Sequence, residues 1–217
     1  MRIAVLGTGM VGRAVSTRLA ELGHEVTVGT RDPEETRARP HHEEAAGVGL
    51  ATFAEAAQAA DLVVNATNGT VSLEVLALAG ADNLADKVLV DIANPLDFSG
   101  GMPPTLTVCN TDSLAEQIQG TFPETRVVKT LNTVNADVMV NPGVVPGAHT
   151  IFVAGDDPAA KETVVGLLEE LGWPREDVMD LGGIEAARGM EMYLSLWLRL
   201  YGATGTAHVN VKVVPGR

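Results

Sequence analysis

The chain has 217 residues, 46% of them hydrophobic, with a mean hydropathy of +0.15, enough to bury a substantial core, and no apolar run reaches the ~18 residues of a membrane span. A net charge of −13 argues against nucleic acid or an anionic membrane as partner, since both need a basic footprint. A single cysteine, Cys109, which reads as a small apolar filler, and an N-terminus that starts on a core strand instead of a signal peptide point to a reducing cytoplasm.

Arg2-Ile-Ala-Val-Leu6 predicts a strand, and Gly7-Thr8-Gly9-Met10-Val11-Gly12 follows it directly. The next residues place Val11, Val15, Leu19 and Leu22 at helical spacing, with Gly23 as the helix stop. Strand, glycine loop and helix in this order are the context in which GxGxxG signifies a phosphate site and not merely a turn. Gly7 makes the tight turn, Gly9 lets the backbone approach a pyrophosphate, and Gly12 allows close packing of helix on strand. The helix start then offers unpaired N–H groups and a positive dipole end to the anion.

The second strand, Glu25 to Gly29, leads into Thr30, Arg31 and Asp32. An acidic residue ~20 residues beyond the glycines would bind the ribose hydroxyl of NAD, whereas an arginine there accommodates the 2′-phosphate of NADP. Asp32-Pro33-Glu34-Glu35 reads as an N-cap, a proline at the first helical position and acids in the first turn, so Asp32 is accounted for as a cap. Thr30 can donate a hydroxyl to phosphate and Arg31 a planar charged fork. The cofactor expected is therefore NADP.

Further on, Glu34 to Ala46 reads as a polar helix broken at Pro40, Gly49–Phe53 as a short strand, and the alanine-rich stretch to Ala60 as a helix. Strands are expected at 61–67 and 87–92, with a helix at 71–79 between them. A glycine- and proline-rich loop precedes a helix from Ser113 to Gln119, and then come a strand at 126–130, the segment 131–141 and a strand at 150–153. Asp157-Pro158 opens another helix, with Val164, Leu167, Leu168 and Leu171 on one face, and a short strand lies at 178–180. The alternation predicts an α/β fold with a doubly wound parallel sheet, a dinucleotide-binding part over 1–150 and a small C-terminal addition over 151–217 packed on it. The last helix, Ile184 to Gly202, is apolar on most sides, which predicts a dimer interface, the floor of a substrate pocket, or both, alongside simple packing on the sheet edge.

In such sheets ligands lie beyond the carboxyl ends of the strands. Small polar residues gather there: Ala66-Thr67-Asn68, Asn94 and Asn132. Thr67 and Asn68 suit the ribose, and Asn94 or Asn132 the nicotinamide carboxamide, although any one of them alone reads as turn chemistry. None of the five histidines has metal spacing or a positioned carboxylate, no metal site is expected, and no acid–base constellation identifies a catalytic residue. Hydride transfer between two cofactors needs none, because positioning supplies most of the effect.

The chain resembles the bacterial and archaeal NADPH-dependent reductases of coenzyme F420, a deazaflavin, over most of its length. The resemblance rests on Met1 to Gly9, Gly23-His-Glu-Val-Thr-Val-Gly-Thr-Arg31, Lys129-Thr-Leu-Asn-Thr133, Gly155-Asp-Asp157, Asp180-Leu-Gly182 and Ala187-Arg188. It implies a Rossmann fold, a homodimer, and contacts from Thr8 to Val11 on the pyrophosphate, from Thr30 and Arg31 on the 2′-phosphate, and from Ala66, Thr67 and Asn132 on the nicotinamide side. Two departures stand out. The glycine loop is one residue shorter than the family's GGTGN form, and its His-Thr-Ile-Pro segment reads Asn132-Thr-Val-Asn135 here. The leading expectation is an oxidoreductase passing hydride between NADPH and coenzyme F420 or a flavin-like acceptor. The alternatives are reduction of a small imine or carbonyl, with Tyr193 or Tyr201 as the available proton donors, and a non-catalytic NADP-sensing module.

Overall fold

The computed structural model describes residues 1–39 and 47–216. Its first half runs β1 (Arg2–Leu6), α1 (Met10–Glu21), β2 (Glu25–Thr30), α2 (Pro33–Arg37), β3 (Val48–Thr52), α3 (Phe53–Ala59), β4 (Leu62–Asn65), α4 (Ser72–Ala79), α5 (Ala81–Leu84) and β5 (Val88–Asp91). There follow β6 (Leu96–Asp97), β7 (Thr105–Leu106), α6 (Leu114–Thr121), β8 (Arg126–Thr130), α7 (Ala136–Val140), β9 (Ile151–Ala154), α8 (Pro158–Leu171), β10 (Val178–Asp180) and α9 (Ala187–Thr204). The polar helix expected over 34–46 is seen as α2, and its remainder past residue 39 lies outside the described residues.

Eight of these strands form one sheet in the order β10-β9-β8-β5-β4-β1-β2-β3. The six from β3 to β8 are mutually parallel, giving the Rossmann arrangement expected from the alternation. β4 (LVVN) and β5 (VLVD) are buried at every position, as strands covered on both faces must be. Along β1 the two-residue period divides the core. Ile3 and Val5 pack with α1, α7 and α8 on one face, and Ala4 and Leu6 with α3, α4 and α6 on the other.

The helix punctuation follows the sequence closely. The Asp32 carboxylate accepts from the N–H groups of Glu34 (2.9 Å) and Glu35 (3.0 Å), and Asp157 accepts from Ala160 N (2.8 Å). Gly23 takes a φ of +88° just after α1, the left-handed stop that a side chain would resist.

Three features lie beyond the sequence pattern. β9 runs antiparallel to β8, so β9 and β10 oppose the other six strands. An antiparallel neighbour needs no crossover over a sheet face, and the connection over residues 131–150 carries only the five-residue α7 as α-helix. The loop expected between 92 and 113 carries the small antiparallel ribbon β6–β7, and two-residue strands show no periodicity to read. The long last helix buries only Ala187, Met190 and Glu191 well, leaving Met192, Leu196 and Tyr201 36%, 52% and 46% exposed. Its expected burial on most sides is therefore not met within the chain. No helix among the described residues is long and apolar enough to cross a membrane.

Candidate functional site

The strand order reverses between β1 and β4, and the loops after these strands meet there. Gly7 (φ +122°) abuts the Ala66 carbonyl, since a Cβ built on it would lie 2.6 Å from that oxygen. A Cβ on Gly12 would lie 2.1 Å from the Gly7 carbonyl, so α1 seats directly on the turn. Gly9 differs from both. Its backbone is extended (φ −73°, ψ −176°), and an added Cβ would meet nothing within 4 Å. Neither conformation nor protein packing requires glycine at position 9, which leaves the approach of a ligand as its physical reason. No side chain caps α1 and no acid lies in its first turn, so its N-terminal amides face that open space unopposed. This is a cradle that fits a pyrophosphate.

At the end of β2 the side chains divide. Arg31 is exposed, and its Nη2 donates to Glu74 Oε1 across the cleft at 3.2 Å. Thr30 is 4% exposed and its hydroxyl lies 2.8 Å from that of Thr36, so its hydrogen bond runs into α2. Asp32 is occupied as a cap, which leaves the arginine as the group at this strand end that matches a 2′-phosphate.

Beyond β4, Thr67 donates its hydroxyl to Asn65 Oδ1 (2.7 Å) and lies 2.8 Å from the Ser72 hydroxyl. Asn68 accepts from Thr70 N at 3.0 Å and caps the turn that leads into α4. This turn sits hard against the loop after β5, since a Cβ on Gly69 would lie 2.2 Å from the Asn94 carbonyl. Asn94 and Asn132 are paired reciprocally: Asn94 Nδ2 donates to the Asn132 carbonyl (2.8 Å), and Asn132 Nδ2 donates to Asn94 Oδ1 (2.9 Å). Asn132 Nδ2 also donates to the Met190 carbonyl (3.0 Å), which fixes the orientation of its amide. Its Oδ1 is then buried with no partner.

These loops enclose a cavity of about 360 Å³. Met10, Val11 and Ala66 form the side nearest the glycine loop, Leu96 and Phe98 come from the ribbon, and Leu194 and Trp197 from α9. Its wall is apolar apart from a few converging polar groups, among them Thr67, Asn68, Asn94, Asn132 and Thr133, the usual make-up of a site for a flat organic ligand. Three of the residues lining it carry a buried polar atom without a partner, Asn132 Oδ1, Thr133 Oγ1 and Trp197 Nε1, and Tyr193 OH, on α9 but not facing the cavity, is a further one. Burial also pushes the Tyr193 phenol above its ordinary pKa. Tyr201 stacks on Trp197 (5.8 Å between centroids, 3° between planes) and is not among the residues facing the cavity. A larger hollow of about 760 Å³ lies between α1 and β2–β3, and none of Asn94, Asn132 or Trp197 borders it.

Beneath the cavity floor lies a charge cluster that sequence reasoning missed. Lys129, on β8, is fully buried. Its Nζ donates to Asp91 Oδ2 (2.8 Å) and to the Ala93 carbonyl, and it pairs with Glu191 Oε1 (2.9 Å). Glu191 accepts in addition from the N–H groups of Leu114 (2.9 Å) and Ala115 (3.2 Å), and Asp91 from Asn65 Nδ2 (2.8 Å) and Ala93 N (3.2 Å). Burial pulls the lysine pKa down, but the two carboxylates outweigh it and hold it above the ordinary value. Burial likewise pushes the Glu191 carboxyl up, against the pull of Lys129. The available signal was a lysine set within the otherwise buried strand Arg126-Val-Val-Lys-Thr130. Among the described residues no group of His, Cys, Asp and Glu is arranged to hold a metal ion.

The family model for NADP oxidoreductase, coenzyme F420-dependent, matches residues 2–95. The F420-dependent NADP reductase of Methanothermobacter thermautotrophicus is 32% identical over 211 residues, covering 92% of this chain and 89% of that protein. The chain belongs to the F420-dependent NADP reductases. Among solved structures, a crystal structure from Arthrobacter sp. FB24, provisionally assigned as an F420-dependent NADP-reductase, shares 59% identity at a TM-score of 0.95, covering 99% of this chain and 100% of that one. Outside these reductases, rat metalloreductase STEAP3 is 28% identical over 190 residues, covering 88% of this chain, which spans 36% of the STEAP3 length. The reductase family thus matches nearly the whole chain, glycine loop and Asn132 loop included.

Proposed function

We propose that this family member passes hydride between NADP(H) and coenzyme F420, with a flavin-like acceptor as the nearest variant. The observation that carries this reading is the apolar cavity at the switch point. It adjoins the glycine cradle through Met10 and Val11, and buried, unpartnered polar atoms gather beside it. When bound there, NADPH supplies a hydride and the deazaflavin takes it up with a proton from water.

The protein's part is positioning. Gly7, Thr8, Gly9, Met10, Val11 and Gly12 hold the pyrophosphate on backbone amides. Arg31 pairs with the 2′-phosphate, with Thr30 shaping the strand end beside it through Thr36. Ala66, Thr67 and Asn68 border the ribose, and Asn94 keeps Asn132 turned so that its Oδ1 accepts from the nicotinamide carboxamide. The apolar walls from Leu96, Phe98, Leu194 and Trp197 exclude water around the two rings, which favours direct transfer. In this reading residues 1–150 bind the dinucleotide and 151–217 complete the acceptor side. The chain works in the cytoplasm on small-molecule partners, without nucleic acid or membrane. It pairs as a homodimer through the exposed apolar side of α9, where Met192, Leu196 and Tyr201 lie.

The test is an acceptor panel. NADPH is mixed with the protein and, separately, coenzyme F420, riboflavin phosphates and a set of cyclic imines, and nicotinamide absorbance is followed. Turnover is expected with the deazaflavin and much less with imines. Rapid imine reduction without deazaflavin turnover would move the assignment to imine reduction, and tight NADPH binding with no turnover at all would make the chain a sensor.

A further inference from the structure

The buried cluster of Lys129, Asp91 and Glu191 lies outside the hydride path, yet it is joined to every part of the nicotinamide pocket that must stay in place. An ammonium has three protons, and Lys129 places them on three elements: the end of β5 (Asp91), the loop beyond it (Ala93 carbonyl) and α9 (Glu191). One residue past Ala93 is Asn94, and one residue before Glu191 is Met190. These two supply the oxygens that hold Asn132 Nδ2, at 2.9 and 3.0 Å. Asn132 itself is three residues beyond Lys129 on the same chain. The lysine therefore fixes, within a residue or so, each anchor of the Asn132 amide, whose buried oxygen has no partner among the described residues.

Two buried carboxylates around one ammonium are a poor way to gain stability, since apolar residues of similar volume often do as well. They are an effective way to impose a single geometry, because each hydrogen bond is directional and any rearrangement strands a charge. Glu191 extends the constraint to the start of α6 through the amides of Leu114 and Ala115. It thereby sets where α9 carries Leu194 and Trp197 along the cavity wall.

We propose that Lys129 is a positioning residue: it locks Asn94, Asn132 and α9 together so that Asn132 Oδ1 stays aimed at the nicotinamide carboxamide. The proposal rests on the reading of the cavity given above.

The test is an equilibrium one, independent of any acceptor. Binding of NADPH is compared with that of 2′-phospho-ADP-ribose, which carries the same phosphates and no nicotinamide. In the wild type NADPH is expected to bind more tightly. Lys129→Met is expected to weaken NADPH by about tenfold or more while leaving the truncated nucleotide within about twofold, as losses of supporting hydrogen bonds around a site do. Asn132→Ala shows the same selective loss, and the double variant is no worse than either single one, because both remove one unit. Equal weakening of both ligands by Lys129→Met would mark a merely structural role and overturn the proposal, as would no weakening of either. Additive losses in the double variant would overturn it too. A wild type that binds both ligands equally would overturn the carboxamide reading of Asn132, and the proposal with it, which is a distinguishable failure. Should Lys129→Met not fold, Lys129→Met with Glu191→Gln, which removes one of the two carboxylates left uncompensated, is read by the same criteria.

Discussion

Replacing Gly9 by Asp is expected to leave the protein folded, with its thermal midpoint unchanged or slightly raised, and to weaken NADPH by at least about a hundredfold, roughly 2.8 kcal/mol. The two halves of this result have separate causes. Position 9 is the N-cap of α1, has extended backbone angles, and offers nothing within 4 Å of an added Cβ, so a side chain fits without strain or collision. Aspartate is among the best N-cap residues, and it adds a negative charge to a helix start that has none. The same carboxylate fills the space left for the pyrophosphate and repels it. Differential scanning calorimetry and a fluorescence titration with NADPH separate the effects. Unchanged NADPH affinity would show that the cradle does not hold the phosphates. A large fall in midpoint would show that Gly9 serves the fold after all.

Arg31→Ala is expected to raise the Kd for NADPH by about 10- to 100-fold and to change that for NADH by less than about threefold, from the ~1.5–3 kcal/mol of a charge-assisted hydrogen bond. Stability should hardly move, because among the described residues the guanidinium pairs with Glu74 at 3.2 Å in a solvent-exposed pair, and such pairs contribute little. Parallel titrations with NADPH and NADH provide the measurement. Equal weakening of both nucleotides would remove the 2′-phosphate assignment and return the choice of cofactor to Asp32 and Thr30.

The N-terminal half, with the glycine loop, could be read from the sequence because its determinants are local. The spacing from Leu6 to Leu22, the glycine that ends α1 and the cap-plus-proline at Asp32-Pro33 are each set by neighbours a few residues away, and the structure has all of them. The hydroxyl of Thr30 could not be oriented in the same way. Whether it points out to a phosphate or in towards Thr36 depends on how α2 packs, and the structure turns it in. The direction of β9 was hidden because it depends on the path the chain takes between β8 and β9, not on the strand itself. The Lys129 cluster was hidden for a stronger reason. Residues 91, 129 and 191 share no spacing, and only the pairing of β5 with β8 and the return of α9 bring them together. Glu191 stands as an acid within a largely apolar helix, and it is among that helix's most buried side chains.

The resemblance implies a histidine at the place where this chain carries Asn132, so in the proposed reading the pocket meets its cofactors with an amide in place of an imidazole. An amide neither gives nor takes a proton near neutral pH, so the transfer step should show no titration of this residue between about pH 5 and 8, where a histidine would register. That fits a site whose residues hold ligands in position and leave the proton to water.

Direct hydride transfer from NADPH to a deazaflavin in the cavity between the glycine loop and α9 is tested most directly with NADPH deuterated at the transferring carbon. Mass spectrometry of the reduced deazaflavin should find the deuterium retained on carbon, from one face of the nicotinamide and not the other. Reduced deazaflavin carrying only solvent hydrogen, or no reduction while NADPH binds tightly, would contradict the account.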